Sequence, residues 1–283
     1  MKFFDDYPVT AIDLLDRLKP ILSAPFPGMN QRDALTAILG MLDMTTLEGS
    51  DTDARVEALC RQSRFSVIQN GLPDAAAVCV YPTLVRRVSN ELGGSGIRVA
   101  SVAGAFPSGQ SSLHVKLEEV RFALSEGAHE IDTVISRGKL LEGRDAEVFD
   151  ELSAIREACG NKTLKVILET GELGPVGMIR KAGEIAILAG ADFIKTSTGK
   201  IATGATPEAF LVMCDTCREY LEKTGKSVGI KAAGGIRTST QVLDYARILV
   251  STLGEGYFDK SLFRIGASSL ATDLLKQLGL PTA

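Results

Sequence analysis

From Leu42 onward, short apolar runs rich in β-branched residues alternate with longer stretches whose apolar positions recur at helical spacing. That is the order of repeated strand–helix units around a parallel sheet. The runs are GMLDMTT, AAAVCVYP, IRVASVAGAF, EIDTVIS, TLKVILET, DFIKTST, VGIKAAGG and LFRIGASS. Their helical partners begin with DTDARVEALCRQS and end with SLATDLLKQLG. Several are punctuated: Thr206 precedes Pro207 and Glu208 as an N-cap with first-turn residues, and Gly127, Gly160 and Gly190 stand where helices stop. Eight such units predict an α/β fold closed into a (β/α)8 TIM barrel. An open doubly wound sheet shares the alternation but not the count, nor the polar chemistry gathered after the strands.

Residues 1–31 stand outside this repeat. The amphipathic segment YPVTAIDLLDRLK, followed by interruptions at Pro20, Pro25 and Pro27, predicts an N-terminal helical extension and linker. Such an extension would cover the lower end of the barrel or support a subunit contact. Residues 32–283 are then a single barrel domain, a length that such barrels reach without splitting.

Composition narrows the function. With 45% hydrophobic and 23% charged residues among 283, the chain has the balance of a globular protein with a sizeable core. Acidic residues outnumber basic ones by 35 to 31, and the net charge of −4 provides no overall basic field for nucleic acid or an anionic membrane. No apolar stretch approaches the roughly 20 residues of a membrane span, and the start MKFFDDYPVTAID has no basic segment followed by an apolar one, so a cytoplasmic location is expected. Cys60, Cys79, Cys159, Cys214 and Cys217 form an odd, scattered set that fits a reducing compartment. Cys214 and Cys217 make a C-x-x-C pair, but inside the helical pattern AFLVMCDTCREYLEK packing explains them better than redox or metal chemistry. His114 and His129 lie in unrelated contexts without metal-ligand spacing, so no metal site is expected.

Barrel enzymes carry their chemistry at the C-terminal ends of the strands, which gives weight to polar residues that interrupt apolar runs. Lys195 in ADFIKTSTG and Lys231 in VGIKAAGG are two such residues on successive predicted strands. An interior lysine is costly to bury as a cation, and one desolvated beside another ammonium gives up its proton to leave an amine able to attack a carbonyl. That is the requirement for Schiff-base catalysis. Each lysine alone could equally pair with a buried carboxylate or face a phosphate. Asp132 in EIDTVIS falls in a short, mostly apolar strand and could move protons directly or through water, or serve a structural salt bridge. Lys165 and Glu169 share side-chain parity on the fifth strand and are expected to face the interior together as supporting electrostatics. After the last three strands come Thr198-Gly199-Lys200, Gly234-Gly235-Ile236-Arg237 and Gly266-Ala267-Ser268-Ser269. Small residues there let backbone amides approach an anion, and with Lys200 and Arg237 they favour a phosphate site over turn chemistry alone.

These same segments, GADFIKTSTGK, VGIKAAGGIRT, EIDTVIS, KVILETGEL and FRIGASSL, resemble the signatures of the deoxyribose-phosphate aldolase family. LDMTTLEGSDTD and AAVCVYPTLV follow the family's order, and the resemblance runs from about Leu39 to Leu278. It implies a class I aldolase that reversibly cleaves 2-deoxy-D-ribose 5-phosphate to acetaldehyde and D-glyceraldehyde 3-phosphate, with no metal or organic cofactor. It implies small phosphosugar and aldehyde partners and a homodimer. Carried over by position, it makes Lys195 the Schiff-base lysine, Lys231 the lysine that tunes it and assists proton transfer, and Asp132 the acid/base residue working with water. Thr198, Cys79 and Asp43 match residues lining the sugar end of the pocket, although packing is the better reading for Cys79. Two departures stand out. The family often carries a C-terminal tail ending in tyrosine, whereas this chain ends LLKQLGLPTA with no tyrosine after Tyr257, and Lys231-Ala232-Ala233-Gly234-Gly235 lacks the more familiar proline or serine. A related class I aldolase or thiolase acting on another phosphorylated sugar, and a non-catalytic phosphosugar-binding barrel, are the competing readings.

Overall fold

A computed structural model describes residues 3–267 and 269–282. Strands β1 (Leu42–Thr45), β2 (Ala77–Val80), β3 (Arg98–Ala103), β4 (Glu130–Val134), β5 (Thr163–Ile167), β6 (Phe193–Lys195), β7 (Gly229–Ala233) and β8 (Phe263–Gly266) pair in chain order, and β8 returns to β1 to close the barrel. Every pairing is parallel. Each strand falls within one of the apolar runs read from the sequence. Helices α1 (Ala11–Ser23) and α2 (Gln31–Leu39) precede β1, and α3 (Asp53–Gln62), α4 (Val85–Leu92), α5 (Leu113–Ser125), α6 (Arg137–Leu141), α7 (Asp145–Cys159), α8 (Thr170–Leu173), α9 (Val176–Leu188), α10 (Pro207–Thr224), α11 (Ser239–Leu253) and α12 (Ser269–Gln277) follow.

Side chains alternate across the barrel wall, as the pleat requires. Val78, Val80, Val99, Ile131, Leu164, Val166 and Ile194 belong to the large core shared with the helices. Ala77, Cys79, Ala100, Val102, Val134 and Ile167 form a second apolar cluster. The alternation sets that cluster on the interior face, the same parity that carries Asp43, Glu130, Asp132, Lys165, Lys195, Lys231 and Arg264. The interior is therefore divided between an apolar wall on β2–β5 and an ionic cluster. Gly229 shows how tightly it is filled: a Cβ there would sit 2.3 Å from the ring of Phe193. Gly229→Ala is expected to cost about 1–3 kcal/mol through overpacking, read as a lower Tm on thermal unfolding.

The N-terminal segment differs from the expectation in two ways. α1 passes through Pro20 and ends at Ser23, held by Leu14 and Leu18 in the core. It packs along α10 and α11 on the outer ring, and the linker after it lays Phe26 against Phe258 in the loop that leads into β8. The Tyr7 hydroxyl and both Arg17 amino groups donate to the buried Asp215 carboxylate of α10 at 2.5, 2.6 and 2.7 Å, and the Arg180 guanidinium of α9 lies over the rings of Phe4 and Tyr7. Helix α2, absent from the sequence reading, starts at the Asn30 N-cap and buries Ala34, Leu35, Ile38 and Leu39. No helix among the described residues is long and apolar enough to cross a membrane.

Candidate active site

Register places the reactive candidates side by side. Asp132 pairs across to Lys165 on β5, and Lys195 pairs across to Lys231 on β7. With equal parity, their heads converge inside the barrel. Asp132 Oδ2 accepts from Lys195 Nζ at 2.7 Å and from Lys231 Nζ at 2.8 Å, while Oδ1 accepts from Lys165 Nζ at 2.9 Å. Lys231 also donates to Asp43 Oδ2 at 2.6 Å. Lys165 has Glu130 at 2.5 Å and Asp43 at 3.7 Å. Arg264 closes the set with Asp43 at 2.7 Å and Glu130 at 3.0 Å.

The three lysines are not equivalent. Burial lowers the Lys195 pKa; Asp132 opposes this, and the neighbouring Lys231 ammonium adds to the lowering, so the net direction is down. Burial also works against the charge on Lys231 and Lys165, but there Asp132 with Asp43, and Asp132 with Glu130, outweigh it and hold both ammoniums above the ordinary lysine range. Burial alone would raise the Asp132 carboxyl, yet the surrounding lysines keep it ionised, well below the usual range. Lys195 is thus the lysine poised to be a neutral amine, held beside a fixed carboxylate and a fixed cation.

Lys195 is also the one of the three that reaches open space. A cavity of about 230 Å³ at the C-terminal end of the strands is lined by Lys195, Thr198, Gly199 and Lys200 from β6 and its loop. Gly234, Gly235, Ile236 and Arg237 after β7, and Gly266 and Ser269 after β8, form another wall. Ser268 lies outside the described residues. The loops can approach because Gly204 has no side chain: a Cβ there would stand 2.4 Å from the Gly234 carbonyl oxygen. Lys200 Nζ meets Glu48 at 2.8 Å across the mouth. The small backbone turns, Lys200, Arg237 and Ser269 at the start of α12 give this wall groups that can donate to an anion.

Other expected residues sit elsewhere. Asp43 and Cys79 do not line the open cavity. Asp43 is buried beneath Lys231, and Cys79 is wholly buried with a thiol that burial pushes up to about 11, so it packs and does not attack. Glu169 does not join Lys165 in the interior. β5 ends at Ile167 and Glu169 adopts a left-handed backbone (φ 57°), which breaks the strand parity. Its carboxylate instead accepts from Ser197 Oγ (2.5 Å), the Thr198 amide (3.1 Å), Thr198 Oγ1 (2.5 Å) and Arg137 (3.0 Å), fixing the loop that carries Thr198. Cys214 and Cys217 are buried in α10 and pack. His114 lies on α5 and His129 Nδ1 accepts from the Val99 amide at 3.0 Å. Glu130 and Arg264 in the cluster, and Thr45, Thr46, Glu48 and Arg55 in the cavity wall, were not singled out from the sequence. Arg264 interrupts an apolar run as the lysines do, and Glu130 shares the parity of Asp132, so both carried a readable signal.

A family model described as DeoC/LacD family aldolase matches residues 37–274. The deoxyribose-phosphate aldolase of Mus musculus is 43% identical over 248 residues, which span 84% of this chain and 78% of the mouse protein. A solved structure from Toxoplasma gondii ME49 aligns with TM-score 0.76 and 26% identity over 90% of this chain and 96% of its own. A tetrameric deoxyribose phosphate aldolase from Aeropyrum pernix aligns with TM-score 0.65 and 26% identity over 96% and 99%.

Proposed function

The chain belongs to the DeoC/LacD family of aldolases, and from that premise we propose that it cleaves 2-deoxy-D-ribose 5-phosphate reversibly through an imine on Lys195. The observation that carries the residue assignment is that, among the described residues, Lys195 is the lysine that both faces the cavity and has its charge disfavoured.

In the cleavage direction the neutral Lys195 amine adds to the aldehyde carbon of the open-chain sugar. With the uptake of one proton, loss of water from the carbinolamine leaves a protonated imine at C1, next to C2. Asp132, through a water molecule, takes the proton of the C3 hydroxyl as the C2–C3 bond breaks. The bonding pair moves into the iminium, giving the enamine of acetaldehyde and releasing D-glyceraldehyde 3-phosphate. Protonation of the enamine carbon and hydrolysis of the resulting imine release acetaldehyde and restore the amine. Lys231 remains a fixed cation throughout, opposing protonation of Lys195 and keeping Asp132 ionised between turnovers. The Thr198 hydroxyl donates to Glu169 and accepts from the Lys200 amide, and its oxygen keeps one lone pair to accept from a substrate hydroxyl. No step calls for a metal or organic cofactor.

The phosphate is proposed to bind among Gly199, Lys200, Gly234, Gly235, Arg237, Gly266, Ser268 and Ser269. Lys200→Met should raise KM for the phosphorylated sugar by about tenfold, the scale of one charge-assisted bond, and leave cleavage of unphosphorylated 2-deoxyribose little changed. Steady-state kinetics on both sugars checks this. Residues 1–31 are proposed as an N-terminal extension of the 32–283 aldolase domain, and the enzyme as a cytoplasmic homodimer acting on small phosphosugars and aldehydes.

The deciding assay follows acetaldehyde release from 2-deoxyribose 5-phosphate beside cleavage of fructose bisphosphate and a phosphorylated diketone. A clear kcat/KM preference for the deoxy sugar is expected. Preference for either alternative would overturn the substrate assignment.

A further inference from the structure

The ionic cluster holds four cationic heads, Lys165, Lys195, Lys231 and Arg264, against three carboxylates, Asp43, Glu130 and Asp132. One positive charge is therefore in excess, in an interior where unpaired charge is costly. Arginine does not deprotonate, so the surplus proton must leave a lysine. Lys165 and Lys231 each touch at least two carboxylates. Among the described residues Lys195 Nζ bonds to Asp132 alone, on an oxygen it shares with Lys231. The proton that balances the cluster is the one on Lys195.

We infer that Arg264, which touches no part of the substrate cavity, is the positioning residue that sets this charge count and so keeps Lys195 a free amine. This rests on the aldolase reading above and extends it to the opposite end of the barrel. Arg264 is 6% exposed and borders a separate cavity of about 320 Å³ that also involves Arg98, Glu130 and Lys260. Its guanidinium is fixed on every side: one nitrogen donates to the Lys260 carbonyl, the plane lies 5.7 Å from the centre of the Phe193 ring, and the fork grips Asp43 and Glu130. A carboxylate claimed by Arg264 has less attraction left for the lysines. Asp43, held by Arg264 on Oδ1, gives only Oδ2 to Lys231, and Lys231 in turn draws on Asp132 Oδ2, the oxygen that would otherwise hold a proton on Lys195.

The remaining charged groups around Lys195 do not change the count. β2 contributes Cys79, a protonated thiol, and β3 contributes only Ala100 and Val102 to the apolar interior. Arg98 stands 3.8 Å from Glu130 but is half exposed, so water screens it. On the cavity side, Lys200 is neutralised by Glu48 and Arg55 by Asp51. Among the described residues Arg237, exposed at the rim, is the one further cation there.

The test is the acid limb of kcat/KM against pH, which reports the protonation of Lys195 in the free enzyme. Arg264→Gln removes the surplus cation and should move that limb upward by about one pH unit, about a tenfold loss of kcat/KM on its acid side. Glu130→Gln keeps the shape and an acceptor for Arg264 but removes an anion. Lys165 retains Asp132 and Asp43, so the limb should move downward by a comparable amount. The double variant should return to within a few tenths of a unit of the wild type, and Arg264→Lys should stay close to it. Opposite shifts from two changes that break the same ion pair are not expected of a merely structural contact. A limb that stays in place in Arg264→Gln, or two single variants that shift in the same direction, would overturn the inference. If Arg264→Gln does not fold, the direction of the Glu130→Gln shift decides: downward supports the inference, and no shift or an upward one overturns it. Wild-type turnover of 2-deoxyribose 5-phosphate tests the underlying aldolase reading separately.

Discussion

Replacing Asp132 with asparagine should lower kcat by about two to four orders of magnitude, the usual worth of a positioned acid/base group, while leaving the nucleophile unprotonated. The two expectations follow from different parts of the same geometry. Among the described residues Asp132 is the only carboxylate bonded to Lys195, so its loss removes the attraction that favours the Lys195 cation, and the lowered pKa falls further. The amine is ready, but nothing takes the C3 proton when the carbon–carbon bond must break. The blocked species is the imine of the intact sugar phosphate. Borohydride should therefore trap a five-carbon phosphorylated adduct in Asp132→Asn and a two-carbon adduct in the wild type. The variant should also be less stable by about 3–5 kcal/mol, since Lys165 and Lys231 keep their charges without the carboxylate they share. Denaturant unfolding measures that loss. A kcat within a few-fold of wild type would remove Asp132 from the chemistry.

Lys231→Leu acts in the opposite sense on the nucleophile. Lys231 supplies the ammonium that lowers the Lys195 pKa and occupies half of Asp132 Oδ2. With leucine there, Asp132 belongs to Lys195 and Lys165, and cations and carboxylates are equal in number with Lys195 protonated. The folded-state pKa of Lys195 rises, so the free amine is depleted at neutral pH and recovers as pH increases. The predicted result is a fall in kcat/KM at pH 7 of about ten- to a hundredfold, from one to two pKa units of lost tuning at tenfold each, and an acid limb displaced to higher pH. The displacement separates tuning from simple damage. An unchanged pH profile, whatever the rate, would contradict the tuning role of Lys231.

These effects were partly legible in the sequence, and the boundary between what was and was not has physical causes. Lys195, Lys231 and Asp132 declared themselves because each interrupts an apolar run whose hydrophobicity puts the strand in the barrel wall. The same rule applied to LFRIG would have drawn attention to Arg264, and the parity of Glu130 with Asp132 would have added the third carboxylate. Strand parity failed at Glu169 because it extrapolates only while the backbone stays extended, and β5 ends two residues earlier. Glu48 and Arg55 lie between β1 and α3 and within α3, where no periodicity says which side chain turns toward the cavity. The N-terminal segment was legible as an amphipathic helix, but its docking on α10 depends on Tyr7 and Arg17 finding Asp215, a contact about 200 positions away along the chain. Proline suggested a break at Pro20, yet burial of Leu14 and Leu18 and the packing of Ile21 outweigh one missing backbone hydrogen bond.

What remains central is which nitrogen forms the imine. Exposing the enzyme to 2-deoxyribose 5-phosphate, reducing with borohydride and mapping the modified peptide by mass spectrometry reads it directly. A single two-carbon modification on Lys195 is the expected result. Modification of Lys231 or Lys165, or full turnover with no trapped adduct, would contradict it.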